Sequence, residues 1–261
     1  GGNTGTGLED LEQALYQLST VDTETLQALL SSKGYERFGN YRGAGIGDAV
    51  LGARYNLLHE KRTSGEWIAS TQVGVTVPTG KVRKPNQLTA VDFGQGAWDI
   101  GVAGILNYAP NSLIQLSTGL HYTYRLPSYR LKRVRESPSD IIPENEERVW
   151  HRMGDKAWLT AGAKISPSDW LSFDASYEWY WKFIDQFDGP SGSHYGYSYL
   201  ADQTDTYLET VQAGVSLNTI YWFLREKFPV PIEVSANAYL PTAGRNTPIA
   251  PFGTLELALF F

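Results

Sequence analysis

The chain has 261 residues, is 42% hydrophobic and 13% aromatic with 8 Trp and 16 Tyr, and carries a formal net charge of −6. The acidic balance argues against a nucleic-acid partner, and the lack of Cys removes thiol catalysis, cysteine zinc sites and disulfides. At a mean hydropathy of −0.31 no run approaches the ~18 apolar residues of a membrane helix, but a transmembrane barrel escapes this exclusion because alternation dilutes its apolar residues.

Residues 1–7, GGNTGTG, are loop-like by composition. Leu8, Leu11, Leu15 and Leu18 then recur at helical spacing among Glu9, Asp10 and Glu12. Asp22 is placed to cap a second helix, Thr23 to Lys33, with Leu26, Leu29 and Leu30 on one side and Gly34 at its end. Residues 1–44 thus read as a loop and helical hairpin, either an extracellular lid or plug or a helix pair packed on a rim.

From Gly47 the period is two. In the first strand Ala49, Leu51, Ala53, Tyr55 and Leu57 oppose Arg54 and Asn56, and a polar turn, HEKRTSGE, follows. Trp67, Ala69, Val73, Val75 and Val77 oppose Ser70 and Gln72 in the second. In the third, Ile100, Val102 and Leu106 oppose Asp99 and Asn107. The fourth sets Ile114, Leu116, Leu120, Tyr122 and Tyr124 against Gln115, His121 and Arg125. A charged loop over 126–155 is basic first (Arg130, Lys132, Arg133, Arg135) and acidic second (Glu136, Asp140, Glu144, Glu146, Glu147). The fifth strand has Leu159, Ala161, Ala163 and Ile165 against Lys164.

The sixth strand, within SDWLSFDASYEWYWKFIDQ, has the clearest pattern in the chain. Leu171, Phe173, Ala175, Tyr177, Trp179, Trp181 and Phe183 oppose Ser172, Asp174, Ser176, Glu178, Tyr180 and Lys182. A seventh strand alternates Val211, Ala213, Val215 and Leu217 with Thr210, Gln212 and Ser216. The eighth has Ile232, Val234, Ala236 and Leu240 against Glu233 and Asn237. The ninth has Leu255, Leu257, Leu259 and Phe261 against Thr254 and Glu256.

Short turns and long loops alternate between these nine strands, as in outer-membrane barrels with short periplasmic turns and longer extracellular loops. Residues 45–261 therefore read as an all-β, transmembrane, antiparallel up-and-down barrel of the bacterial outer membrane, preceded by the helical hairpin. Leu171, Phe173, Tyr177, Trp179, Trp181, Phe183, Leu255, Leu257, Leu259 and Phe261 are expected to face lipid. A charge on that face would cost about 2–4 kcal/mol at the midplane. The lumen is therefore assigned Arg54, Asn56, Gln72, Asp99, Gln115, His121, Arg125, Lys164, Asp174, Glu178, Lys182, Gln212, Glu233, Asn237 and Glu256. These either pair into a bracing network or line a polar path.

Three segments, GIGDAVLGARYNLL at Gly45–Leu58, VGVTVPTGK at Val73–Lys81 and FGQGAWDIGV at Phe93–Val102, resemble the phenol-degradation meta-pathway family of outer-membrane proteins. The resemblance covers Gly45 to Tyr108 and implies a barrel that passes hydrophobic compounds without fixing a substrate. Family members are expected to carry about three strands before the GxGD element, where this chain has the hairpin. Read from the residues alone, the glycines of these segments make tight entries and strand ends.

No cofactor, metal site or catalytic motif is expected. The four His, at 59, 121, 151 and 194, fall in no hydrolase pattern, although an outer-membrane hydrolase stays open as an alternative, as does a structural or accessory barrel of a larger complex. The expected partners are outer-membrane lipids; Arg130, Lys132, Arg133 and Arg135 either bind lipopolysaccharide phosphates or belong to a loop that is simply solvated. No signal peptide is visible at Gly1, so an exported chain is expected to be processed or truncated. Nine strands is odd, whereas bacterial single-chain barrels are even. The whole barrel is expected to have ten or twelve, with one or about three strands cleaved, omitted or supplied by a second polypeptide, unless a further strand lies within 126–155 or 184–204.

Overall fold

The computed structural model of the chain describes residues 22–37, 39, 43–137, 140–190 and 194–260. The first expected helix, Leu8 to Leu18, lies outside them. The second forms as α1, Thr23–Ser32, where the Asp22 carboxylate caps the free Thr25 N–H at 2.7 Å and Gly34 closes the end at φ 76°.

Period-two sequence becomes strand wherever it was read. β1 (Ala49–Arg62), β2 (Gly65–Val77), β3 (Asp99–Ala109), β4 (Ile114–Arg125), β7 (Lys156–Ser168), β8 (Leu171–Lys182), β10 (Thr206–Asn218), β11 (Ile232–Arg245) and β12 (Phe252–Leu259) form one nine-stranded sheet in that spatial order. Every pairing in it is antiparallel. The sheet is an up-and-down meander and stays open, since no pairing among the described residues joins β1 to β12.

One reading is corrected at the first connection. HEKRTSGE is not a turn along its length, because β1 runs to Arg62 and only residues 63–64 turn before Gly65. Glu60, Lys61 and Arg62 keep their ladder partners Trp67, Glu66 and Gly65, since side-chain charge does not interrupt a backbone ladder at a solvated end.

The loops 126–155 and 184–204 do contain strands, but none joins the main sheet. β5 (Ser128–Arg133), β6 (Glu146–Arg152) and β9 (Gln186–Asp188) form a second, three-stranded antiparallel sheet. It continues directly from β4, β7 and β8, so it stands at the end where 78–98 also connects β2 to β3. This cap holds the hydrophobic cluster of the described residues: Val134, Val149 and Tyr197 of α2 (His194–Ala201), with Phe187 and Leu200 packed against them. α1 docks here through Lys33–Glu144 at 2.7 Å and through Arg133, whose guanidinium donates to the Lys33 and Gly34 carbonyls at 2.8 and 2.9 Å. A cation at the last carbonyls of a helix suits its dipole. The opposite end has short turns and the brief helix α3 (Ile220–Phe223).

Candidate functional site

Register carries each face across the whole sheet. Arg54 stands opposite Gln72, Gln72 opposite Ala103, and Ala103 opposite His121; Gln115 pairs with Lys164, and Lys164 with Asp174. Ser176 pairs with Gln212, Gly214 with Asn237 and Ser235 with Glu256. By the same alternation Asn56, Asp99, Arg125, Glu178, Lys182 and Glu233 join them. All fifteen residues assigned to a lumen therefore lie on one face. Between them sit small side chains such as Ser70 and Ser172, both buried.

The other face carries Leu171, Phe173, Tyr177, Trp179, Trp181, Leu255, Leu257 and Leu259. Phe173 is 47% exposed and Leu257 66% exposed, and no second layer covers this face among the described residues. Phe183 lies just past β8 and is exposed, while Phe261 lies outside the described residues. Aromatics gather at both ends of this face. Tyr122, Tyr124, Trp179, Trp181 and Tyr207 lie toward the cap. At the short-turn end Trp67 stacks on Tyr108 at 4.1 Å; Trp170, which stacks on Trp222 at 5.7 Å, precedes β8 in the phase of Ser172 and is not counted on this face. Trp67 and Tyr108 lie 41 residues apart and meet only through the β2–β3 register.

The polar face curls inward. Thr76 of β2 and Glu178 of β8 line one cavity of about 340 Å3 with Asp99, Lys156 and Tyr180, although three strands lie between β2 and β8. Gln95 of the 78–98 segment joins its wall and accepts a hydrogen bond from the Arg125 guanidinium at 2.6 Å. Arg125 lies 3.6 Å from Asp99, both almost fully buried, and its N–H donates to Asp155 at 2.9 Å. Arg152 and the Tyr122 hydroxyl also donate to Asp155, at 2.8 and 2.7 Å. A second cavity of about 460 Å3 lies on the same face over β8, β10 and β11. Leu208, Tyr239, Pro241, Pro248 and Phe252 give it apolar walls, with Glu178 and Gln212 beside them.

The three segments that carry the family resemblance meet at one carboxylate. Asp48, of GIGD, accepts the Gly80 N–H of VPTGK at 2.9 Å and the Gln95 N–H of FGQG at 2.6 Å. Gly80 and Gly94 pack backbone to backbone, so a Cβ on Gly80 would come within 2.6 Å of the Gly94 Cα. The sequence reading credited the glycines and passed over Asp48. Its role depends on two chain segments that only the fold brings to it.

The histidines are scattered. His59 pairs with Glu66 at 2.6 Å on the exposed β1–β2 hairpin, and His121 stacks on Trp158 at 4.8 Å. His151 is buried in the cap, stacked on Phe187 at 4.2 Å, with its Nε2 3.2 Å from Asp185. Burial holds its imidazole below the ordinary histidine value. Burial also pushes the Asp185 carboxyl up, but the His151 ring, the Lys182 ammonium at 2.5 Å and the Gly154 N–H at 2.8 Å outweigh it and hold the group at about 2. A neutral His151 donating from Nε2 satisfies this geometry, and Lys182 also donates to the Thr204 carbonyl at 2.6 Å. No group of three or more His, Asp or Glu at metal-binding distance occurs among the described residues.

The four cations expected to act together in the 126–155 loop are divided by the fold. Arg133 is engaged by helix carbonyls, by Glu146 at 2.9 Å and by the Tyr35 ring at 4.0 Å. Arg135 lies over the Tyr199 ring at 4.1 Å. Arg130 and Lys132 face a cavity of about 500 Å3 beneath β5. Compared with protein-family models and with curated proteins, the chain matches none.

Proposed function

We propose that the chain forms the wall of an outer-membrane β-barrel that lets small, apolar molecules pass along its polar face. The observation that carries this reading is the inverted partition of the nine-stranded sheet: an uncovered apolar face backs a curled face of charged and small residues. In water such a face would expose apolar area far beyond the few hundred Å2 usual for a monomer. Against lipid it is the expected outer surface, and aromatics at both ends match the girdles of such barrels. The apolar-walled cavity bounded by Leu208, Tyr239 and Phe252 supports an apolar cargo, as does the family that Gly45–Tyr108 resembles.

The open edges β1 and β12 favour a second reading in which the chain is one component of a barrel completed by other strands, with a bracing rather than a conducting interior. Reconstitution into lipid vesicles tests both. Conduction predicts flux of a small apolar dye that rises with protein-to-lipid ratio and falls when Tyr239→Trp narrows the cavity. Stable insertion without flux leaves the bracing role, and failure to insert at all sinks the membrane reading.

A further inference from the structure

We propose that the cavity beneath β5 is a binding site for a small organic anion, a carboxylate or phosphate monoester with an apolar body. This proposal does not depend on the membrane reading. The cavity, of about 500 Å3, lies between β5 and the 78–98 segment, with Tyr35 at its margin. That size suits a small molecule. Five of its lining residues are cationic and one, Asp92, is acidic.

The carboxylates nearby are already engaged. Asp92 accepts the Arg83 backbone N–H at 2.6 Å and lies 3.7 Å from its guanidinium. Asp185, whose field reaches Arg130 and Lys132, is held by His151, Lys182 and Gly154, and Asp48, whose field reaches Arg130, is held by the Gly80 and Gln95 N–H groups. Among the described residues Arg130 makes only a 3.4 Å contact from Nε to the Ser128 hydroxyl, and its Nη2 is buried with no hydrogen-bond partner. Gly96, at φ 64°, lies against that nitrogen, and a Cβ there would come within 2.9 Å of it. Lys132 has neither a hydrogen bond nor an ion pair among the described residues.

Two half-buried cations on one face of a strand, with no carboxylate in ion-pair contact among the described residues, are costly. Burial and the neighbouring charges of Arg130 and Arg83 lower the Lys132 ammonium from its ordinary value, as they would where an anion is missing. An anion between Arg130 and Lys132 would supply the missing acceptors, and Val82, Leu88 and Tyr129 would receive its apolar part. Gly96 in the wall of this cavity and Gln95 in the wall of the one on the polar face are consecutive residues, so the two cavities adjoin.

Titration calorimetry on the full chain, folded in an uncharged maltoside detergent, tests this with hexanoate and phenyl phosphate against hexanol and inorganic phosphate. Both amphiphilic anions should bind, each at least about tenfold tighter than hexanol or inorganic phosphate. Lys132→Met and Arg130→Gln should each weaken hexanoate about tenfold or more while the circular dichroism melt is kept, and Arg135→Gln should not. Phosphatidylglycerol that displaces hexanoate would make the source of the anion a lipid headgroup; failure to displace it would make the source a free acid, and either supports the site. Hexanol binding as tightly as hexanoate, inorganic phosphate matching phenyl phosphate, or full affinity in both Lys132→Met and Arg130→Gln would overturn it.

Discussion

Asp48 gathers two N–H donors from segments that are far apart in the chain, and its neighbours Gly80 and Gly94 leave no room for a side chain. Hydrogen bonds to an ionised acceptor contribute about 1.5–3 kcal/mol each. Asp48→Ala should therefore destabilise the cap end of β1–β3 by roughly 3 kcal/mol, whereas Asp48→Asn, which keeps one acceptor oxygen, should cost about half as much. Gly94→Ala should be at least as damaging, because its Cβ meets both the Asp48 carboxylate and the Gly80 backbone. Urea unfolding of the three variants checks the order. At this scale the sequence showed the glycines as punctuation but not the carboxylate they surround, because an Asp before a strand reads as one more polar residue.

The His151–Asp185 pair carries a pH dependence. Asp185 is held at about 2, below its ordinary 3.8, so its contribution is complete above the unfolded value and is lost as pH falls from about 4 toward 2. Lowering so buried a carboxyl from 3.8 to about 2 corresponds to roughly 2–3 kcal/mol. His151 acts in the same direction: its value is lowered on folding, so protonation below about pH 6.5 favours the opened cap. Protection factors at β6 and β9, with exchange rates corrected for the slower intrinsic exchange in acid, should therefore fall in two steps on acidification, the first abolished by His151→Gln. Cap protection factors that stayed constant down to pH 3 would contradict the assignment.

Among the elements, the nine strands of the main sheet were legible because alternation persists over their length, as in Leu171–Lys182, where the two phases share almost no chemistry. β5, β6 and β9 were not. SYRLKR and EERVWHR are short and charged on both faces, and QFD is only three residues long. What makes them strands is continuation from β4, β7 and β8 together with the small core of Val134, Val149 and Tyr197. The face assignment has its own test. Leu120, central in β4 on the apolar face, is more than half exposed, so Leu120→Lys in a water-soluble protein should change stability by no more than about 0.5 kcal/mol. Facing lipid near the midplane, the same substitution should cost about 2–4 kcal/mol. Folding into vesicles, measured by tryptophan fluorescence against urea, separates the two outcomes.

For the whole molecule, strand direction constrains how the sheet can be completed. Eight antiparallel pairings connect nine strands, so β12 runs in the same direction as β1. Direct closure would place a parallel pair in an otherwise antiparallel wall. A second copy related by an axis along the membrane normal would meet the same obstacle, since its β1 would also lie parallel to β12. Leaving both edges unpaired is no alternative in hydrocarbon, where every unsatisfied backbone group costs several kcal/mol. An all-antiparallel barrel therefore requires an odd number of further strands between β12 and β1. The absence of native Cys gives a clean background for a direct test. Asn56 and Glu256, on the polar phases of β1 and β12, are replaced by Cys and the protein is oxidised after insertion into vesicles. Separation by at least one strand predicts little intramolecular disulfide from this pair, while a control pair at the opposed positions Gly74 and Gly101 of β2 and β3 should cross-link readily. Efficient cross-linking between β1 and β12, found again when the β1 cysteine is moved two residues to Arg54, would mean that the nine strands close on themselves and that the parity argument fails.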